Sequence, residues 1–245
     1  VNHPYEFVER DPNTRYPKME PPYLPEMNPV GVYRKEIDIP ENWDEREVFL
    51  TLDGAKSGVY VYVNGKEVGY SEDSKTSAEF NITKYVNSGK NTLVLKIFRW
   101  STGSYLEAQD FFRISGIEHD VFLWSQPKTS LRDFRVISTL DDSYKNGVFE
   151  LETTVRNYGN SVSYADVTFE LLNQSGETIL TETKPIGIQR GGESAIKFNA
   201  KIPNVATWTS EHPNLYKLLI TVNKEGEETG EVVPYTVGFR RFEIK

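Results

Sequence analysis

The residues best equipped for chemistry in this chain crowd into one stretch, Trp100–Gly116, WSTGSYLEAQDFFRISG. Within it Trp100, Ser101, Ser104, Tyr105, Glu107, Gln109, Asp110 and Arg113 supply hydroxyls, carboxylates, an amide, a guanidinium and aromatic rings. A saccharide site uses these groups, because a ligand rich in hydroxyls needs donors and acceptors together. The stretch lies between two runs that read as strands, Thr92–Phe98 and Val121–Trp124. It is longer than the usual hairpin loop of about two to five residues. Long loops on a rigid sheet are where binding groups are commonly presented. The plainer reading is a surface crossover that carries a few core aromatics.

Elsewhere the chemistry is sparse. Retaining glycoside hydrolysis needs two carboxylates about 5–5.5 Å apart across one sugar. The chain holds 36 acidic residues, and no pair is marked out by spacing. Glu41, Asp44, Glu45 and Glu47 cluster around a Pro-Glu-Asn-Trp turn and read as a solvated loop. Glu72 and Asp73, in YSEDSK, read as another loop. His3, His119 and His212 are far apart and show no zinc-ligand spacing. They also suggest no nucleophile–base pair, and there is no G-x-S-x-G elbow and no P-loop. Cysteine is absent, which excludes disulfides and thiol chemistry. A net charge of −8 argues against nucleic acid as a partner. No apolar run approaches the roughly 18 residues that span a bilayer, so no membrane partner is expected. Val1 begins no signal-peptide pattern and reads as a processed N-terminus. The compartment, cytoplasm or periplasm, stays open.

The elements that must position this stretch are all β. Residues 1–30 hold seven of the 13 prolines, interleaved with Tyr5, Phe7, Tyr16 and Tyr23. Proline lacks an amide donor and fixes φ, so this segment reads as an extended arm with apolar anchors. From Val32 the pattern becomes short alternating strands. Tyr33, Ile37 and Ile39 alternate in VYRKEIDI, and Val48, Leu50 and Leu52 in VFLTLD, as half-buried strands do. VYVYV, Asn64-Gly65, then KEVGY predicts a hairpin with a type I′ turn. Pro127 should end the last strand of this region, because it cannot donate to a ladder. Seven further runs follow: 131–138, 148–156, 165–172, 177–184, 194–202, 216–223 and 231–237. The turns between them include Asn146-Gly147, Ser175-Gly176 and Gly191-Gly192. The reading is an all-β protein of two domains. Residues 1–127 form a jelly-roll sandwich with its Pro-rich arm (1–30), and residues 128–245 an immunoglobulin-like sandwich.

Longer words of the sequence resemble a known family. NPVGVYRKEIDIPENW (28–43) and LDGAKSGVYVYVNGKEVGYSEDSKTSAEFNIT (52–83) resemble the sugar-binding domain of glycoside hydrolase family 2. RWSTGSYLEAQDFFRISGIEHDVFLW (99–124) and the arm YPKMEPPYLPEMNP (16–29) are similar to its β-galactosidases. WTSEHPNLYKLLI (208–220) and VGFRRFEI (237–244) resemble the end of the family's immunoglobulin-like domain. The resemblance implies a jelly roll, an immunoglobulin-like domain and then a (β/α)₈ barrel, whose active site lies at the C-terminal face of its strands. It also implies that the chain stops where that barrel would begin. The acid/base and nucleophile glutamates would then lie outside it, no residue here would be catalytic, and this fragment alone would be inactive.

By the same resemblance the first domain forms part of the galactose pocket. Asp110, in the SYLE-x-QD motif, would bind substrate and help hold a sodium ion near the sugar's 6-hydroxyl. Lys56 stands where the family's motif has an asparagine, and would be a second substrate contact. An ammonium only donates, whereas an amide both donates and accepts, so the replacement bears on substrate preference. Trp100, Tyr105 and Phe112 would pack the loop. Magnesium would enter only through the barrel. The implied partners are a β-galactoside, the chain's own barrel and further copies in a homo-oligomer. Two other readings are a stand-alone carbohydrate-binding module and an immunoglobulin-like adhesion or assembly module. The first would need an exposed aromatic platform, and the aromatics read mostly as strand core.

Overall fold

The structure is a computed structural model that describes residue 24 and residues 28–107, 114–227 and 230–244. The chain divides between Ser125 and Gln126 into two compact units. Each is a β-sandwich, as the turn-punctuated alternation predicts.

In the first unit, one sheet has the order β1 (Val30–Ile39), β7 (Gly89–Phe98), β4 (Gly58–Val63), β5 (Lys66–Ser71). A second has the order β6 (Ala78–Asn81), β2 (Glu47–Leu52), β9 (Val121–Gln126). A short pair joins β3 (Ala55–Lys56) to β8 (Gly116–Ile117). The core forms where Val59, Val61 and Val63 of β4 and Leu93, Leu95 and Ile97 of β7 meet Leu50 and Leu52 of β2. Each such side chain contributes about 1.5–3 kcal/mol on leaving water. The Asn64-Gly65 turn forms as predicted, with φ of 50° and 77°.

Four local readings change. Strand β2 is buried along its whole length, because Trp124 of β9 stacks on Phe49 with ring centroids 4.5 Å apart and donates to Thr51. Glu47 is not solvated: it is 8% exposed and accepts from the Asn81 amide and the Thr83 hydroxyl. Tyr33 is exposed, because β1 is the edge strand. Tyr60 and Tyr62 point away from the core their valine neighbours fill, and Tyr70 is exposed, so part of the aromatic complement forms an outer face.

In the second unit β10 (Thr129–Leu140), β11 (Gly147–Asn157) and β14 (Glu193–Ile202) form one sheet. The other runs β13 (Thr178–Ile188), β12 (Ser163–Leu172), β15 (Tyr216–Lys224), β16 (Glu231–Val237). All seven predicted runs are strands. Phe149, Phe169 and Phe198 fill the space between the sheets, with centroids 5.3 and 5.1 Å apart along the series. Pro185 and Pro234 fall on β13 and β16, the two outermost strands, where a missing donor is tolerated. The turn before β11 is made by Asp141 and a left-handed Tyr144. Gly147 serves packing instead. A β-carbon there would lie 2.9 Å from Phe239 and from Val205.

Candidate functional site

The polar stretch is held at its root by contacts far apart in sequence. Where β7 ends, the Arg99 amide donates to the Pro29 carbonyl at 2.9 Å. The Asn28 side chain then clasps the Trp100 backbone in both directions, each bond 2.9 Å. The Ser57 hydroxyl shares its proton between the Phe98 and Arg99 carbonyls. Beyond Trp100 the chain turns into a short helix, α1 (Gly103–Leu106). Ser104 accepts from the Ser101 amide, so these two serines cap the turn and are buried.

Glu72 fastens this turn to the neighbouring loop. Its carboxylate accepts from the Thr102 hydroxyl at 2.6 Å, the Gly103 amide at 2.8 Å and the Tyr70 hydroxyl at 2.6 Å. Partial burial works to raise its pKa, but these three donors outweigh it and hold the carboxyl below its ordinary value. Tyr70 moves the opposite way: desolvation and the bond to Glu72 push its phenol well up. Asp73 accepts from the Thr76 hydroxyl and the Lys75 amide and is likewise lowered. Glu107 accepts from the Ser74 amide through Oε1, while its buried Oε2 has no hydrogen-bond partner among the described residues. Together these residues border a cavity of about 480 Å³ with the exposed Leu106 at its rim.

The far end of the stretch returns to the sheet through a ladder. The Asp53 amide bonds Asp120, the Glu118 amide bonds Gly54, and Ala55 and Lys56 pair with Ile117 and Gly116. Gly54 is needed for this approach, since a β-carbon would meet the His119 ring at 2.7 Å. Gly116 has a φ of 119° and leaves room for the Tyr33 hydroxyl. Beside it Tyr33, Arg99 and Ile114 line a second cavity of about 450 Å³. Lys56 therefore sits directly across from the last residue of the stretch and is only 6% exposed. Trp100 is buried, as loop packing predicts. Gln109, Asp110, Phe112 and Arg113 lie outside the described residues, as does the side chain of Tyr105.

Sequence reasoning missed Asn28 and Glu72 as anchors. The contacts that make them anchors of this stretch lie 72 and about 30 positions away, so they leave no local signal, although Glu72 also has a near partner in Tyr70. Chemically the described residues form a scaffold for a binding loop. Every resolved carboxylate shift among them is downward, at Glu72, Asp73, Asp141 and Glu211. A glycosidase general acid needs the reverse, a carboxyl that keeps its proton. No group of three metal-ligating side chains occurs among the described residues. Glu107 Oε2 is a single oxygen left without a hydrogen bond among the described residues, and a hard cation wants several oxygen ligands. These residues alone do not fit a sodium or magnesium site.

Comparison with known proteins agrees with this architecture. Residues 8–127 match the family model described as "Glycosyl hydrolases family 2, sugar binding domain", and residues 129–240 that described as "Glycosyl hydrolases family 2". The chain is 36% identical over 248 residues to a β-galactosidase of Priestia megaterium, covering 100% of this chain and 23% of that protein. It is 38% identical over 238 residues to a β-galactosidase of Halalkalibacterium halodurans, covering 95% and 23%. It thus spans about a quarter of the length of these curated relatives. Among solved structures, a Bacteroides uniformis β-glucuronidase superposes with a TM-score of 0.79 at 24% identity, over 86% of this chain and 26% of that one. That likeness shows the shared fold. No described helix is long and apolar enough to cross a membrane.

Proposed function

Because the chain belongs to glycoside hydrolase family 2, we propose that it forms the sugar-binding and immunoglobulin-like portion of a β-galactosidase and takes no part in bond cleavage itself. The observation that carries the substrate class is the similarity along the whole chain to proteins named β-galactosidase. The geometry supports a positioning role. The stretch 100–116 is tied at one end by Asn28, Ser57 and Glu72 and at the other by the β3–β8 pair. A loop fixed at both ends can hold a wall of a pocket in place.

In this reading Asp110 and Lys56 are the substrate contacts, and the domain boundary lies at Pro127. Asp110 is also the carboxylate to which sodium would be assigned, with magnesium entering through a barrel. No step is routed through either ion. The downward shifts of Glu72, Asp73, Asp141 and Glu211 give none of these four the retained proton that a general acid needs. A barrel of the same protein, and further copies of it, would complete the enzyme.

The test compares purified 1–245 with the larger protein that carries it, on a nitrophenyl β-galactoside. The larger protein should turn the substrate over, and 1–245 should not. Asp110→Asn in the larger protein should lower turnover and flatten its response to sodium. Turnover by 1–245 that vanishes on replacing one of its own acids would overturn the proposal.

A further inference from the structure

The second unit carries a cleft that neither the family match nor the loop in the first unit accounts for. It lies on the outer face of the four-stranded sheet and has a volume of about 560 Å³. Its residues are set by register. On β12, Tyr164 and Asp166 point outward, flanking the buried Ala165. Tyr164 lies opposite Gly187 on β13, and Asp166 lies between Pro185 on β13 and Asn223 on β15. Residues 224–227, at and just after the end of β15, form one wall, held by the Glu225 amide on the Tyr164 carbonyl and by a 2.8 Å Lys224–Glu227 pair.

Three features point to a ligand. First, Tyr164 is 60% exposed although it stands in a strand. It leans over Gly187, where a β-carbon would lie 3.3 Å from the ring. Glycine thus lets the ring lie close against β13, so that one ring face is covered by the strand and the other is turned to the cleft. Second, the Asp166 and Asn223 side chains are cross-strand neighbours, and neither bonds to another described residue. The pair offers a carboxylate acceptor beside an amide that both donates and accepts. Third, the charged groups are Asp166, Glu225 and Glu227 against the single Lys224, whose ammonium is already paired with Glu227. The cleft is therefore acidic and disfavours anions.

We propose that this cleft is an accessory binding site for a neutral saccharide unit. The apolar C–H face of the sugar lies on the negative face of the Tyr164 ring, and two of its hydroxyls bond Asp166 and Asn223. The amide and carboxylate together match a vicinal diol, one hydroxyl donating and its neighbour accepting. The site is open and shallow, so its affinity should be low, with Kd on the order of 1–10 mM.

The experiment titrates isotope-labelled 1–245 with lactose, and separately with glucuronate, and follows backbone amide shifts. Lactose should move the amides of 164–166, 186–187 and 223–227 along one saturable curve, and glucuronate should leave them in place. Tyr164→Ala should weaken that curve at least about tenfold, a factor worth 1.4 kcal/mol. Tyr164→Phe, which keeps the ring, should retain it. Asn223→Ala, at an exposed position, should weaken it independently should Tyr164→Ala not fold. No saturable shift at these amides, or a shift that both variants leave unchanged, would overturn the proposal. A lactose response confined to residues of the first unit would also overturn it while leaving the proposed pocket in that unit standing.

Discussion

Replacing Glu72 with alanine removes one carboxylate and three bonds that converge on the root of the loop. The donors are the Thr102 hydroxyl, the Gly103 amide and the Tyr70 hydroxyl, at 2.6, 2.8 and 2.6 Å. Bonds to a buried charge contribute about 1.5–3 kcal/mol each. Glu72 is only half-buried, so solvent screens it, and the three together should be worth about 2 kcal/mol. The effect depends on pH in a defined direction. The folded carboxyl titrates below its ordinary value, so the stabilisation is full above the unfolded pKa of about 4.3. It is lost as pH falls through the lowered folded value. The raised Tyr70 phenol sets the other limit: its share is full below about 10 and is lost as pH climbs toward its higher folded value. Urea unfolding followed by tryptophan fluorescence is a suitable assay, because Trp43, Trp100 and Trp124 all belong to the first unit. With a slope of about 2 kcal/mol per molar urea, Glu72→Ala should lower that unit's midpoint by about 1 M at neutral pH. Near pH 3 the gap between variant and wild type should narrow. A midpoint unchanged at pH 7, or a gap that keeps its full size in acid, would refute the reasoning.

Gly147→Ala should destabilise the second unit by about 1–3 kcal/mol through overpacking, since the new methyl meets Phe239 and Val205 at 2.9 Å. Calorimetry would show a lower Tm, and an unchanged one would mean the two side chains yield freely. Glu47→Ala should cost about 1–3 kcal/mol by leaving the Asn81 amide and Thr83 hydroxyl without this acceptor. Glu47→Gln should recover part of the loss in the same urea titration. Asp141 receives the Ser143 hydroxyl and the Asn146 amide, which hold its carboxyl well below the ordinary range. Carbon-detected titration should therefore find it ionised at pH 3, and the turn it caps should loosen only as pH falls further. An ordinary titration curve would count against that network.

Much of this protein is legible in its sequence, for a local reason. Alternation such as VYVYV, a turn such as Asn64-Gly65 and a strand-ending proline such as Pro127 each encode structure within a few neighbours. These signals were enough for the seven strands of the second unit and for β1, β2, β4, β5, β7 and β9 of the first, but not for the short β3, β6 and β8; longer words carried the family resemblance. The site was only partly legible. Trp100–Gly116 stands out by composition, yet Ser101 and Ser104 turn inward to cap a turn, and Glu72 grips it from a separate loop. Burial was the weakest reading. Glu47 is enclosed because Asn81 and Thr83 come to meet it, and Tyr60 faces outward because β4 gives its inner face to valines. Pairing is long-range, so only tertiary structure brings Lys56 opposite Gly116 and sets Tyr164 over Gly187. A residue's type specifies what it can bond, and the register of distant strands decides what lies within reach.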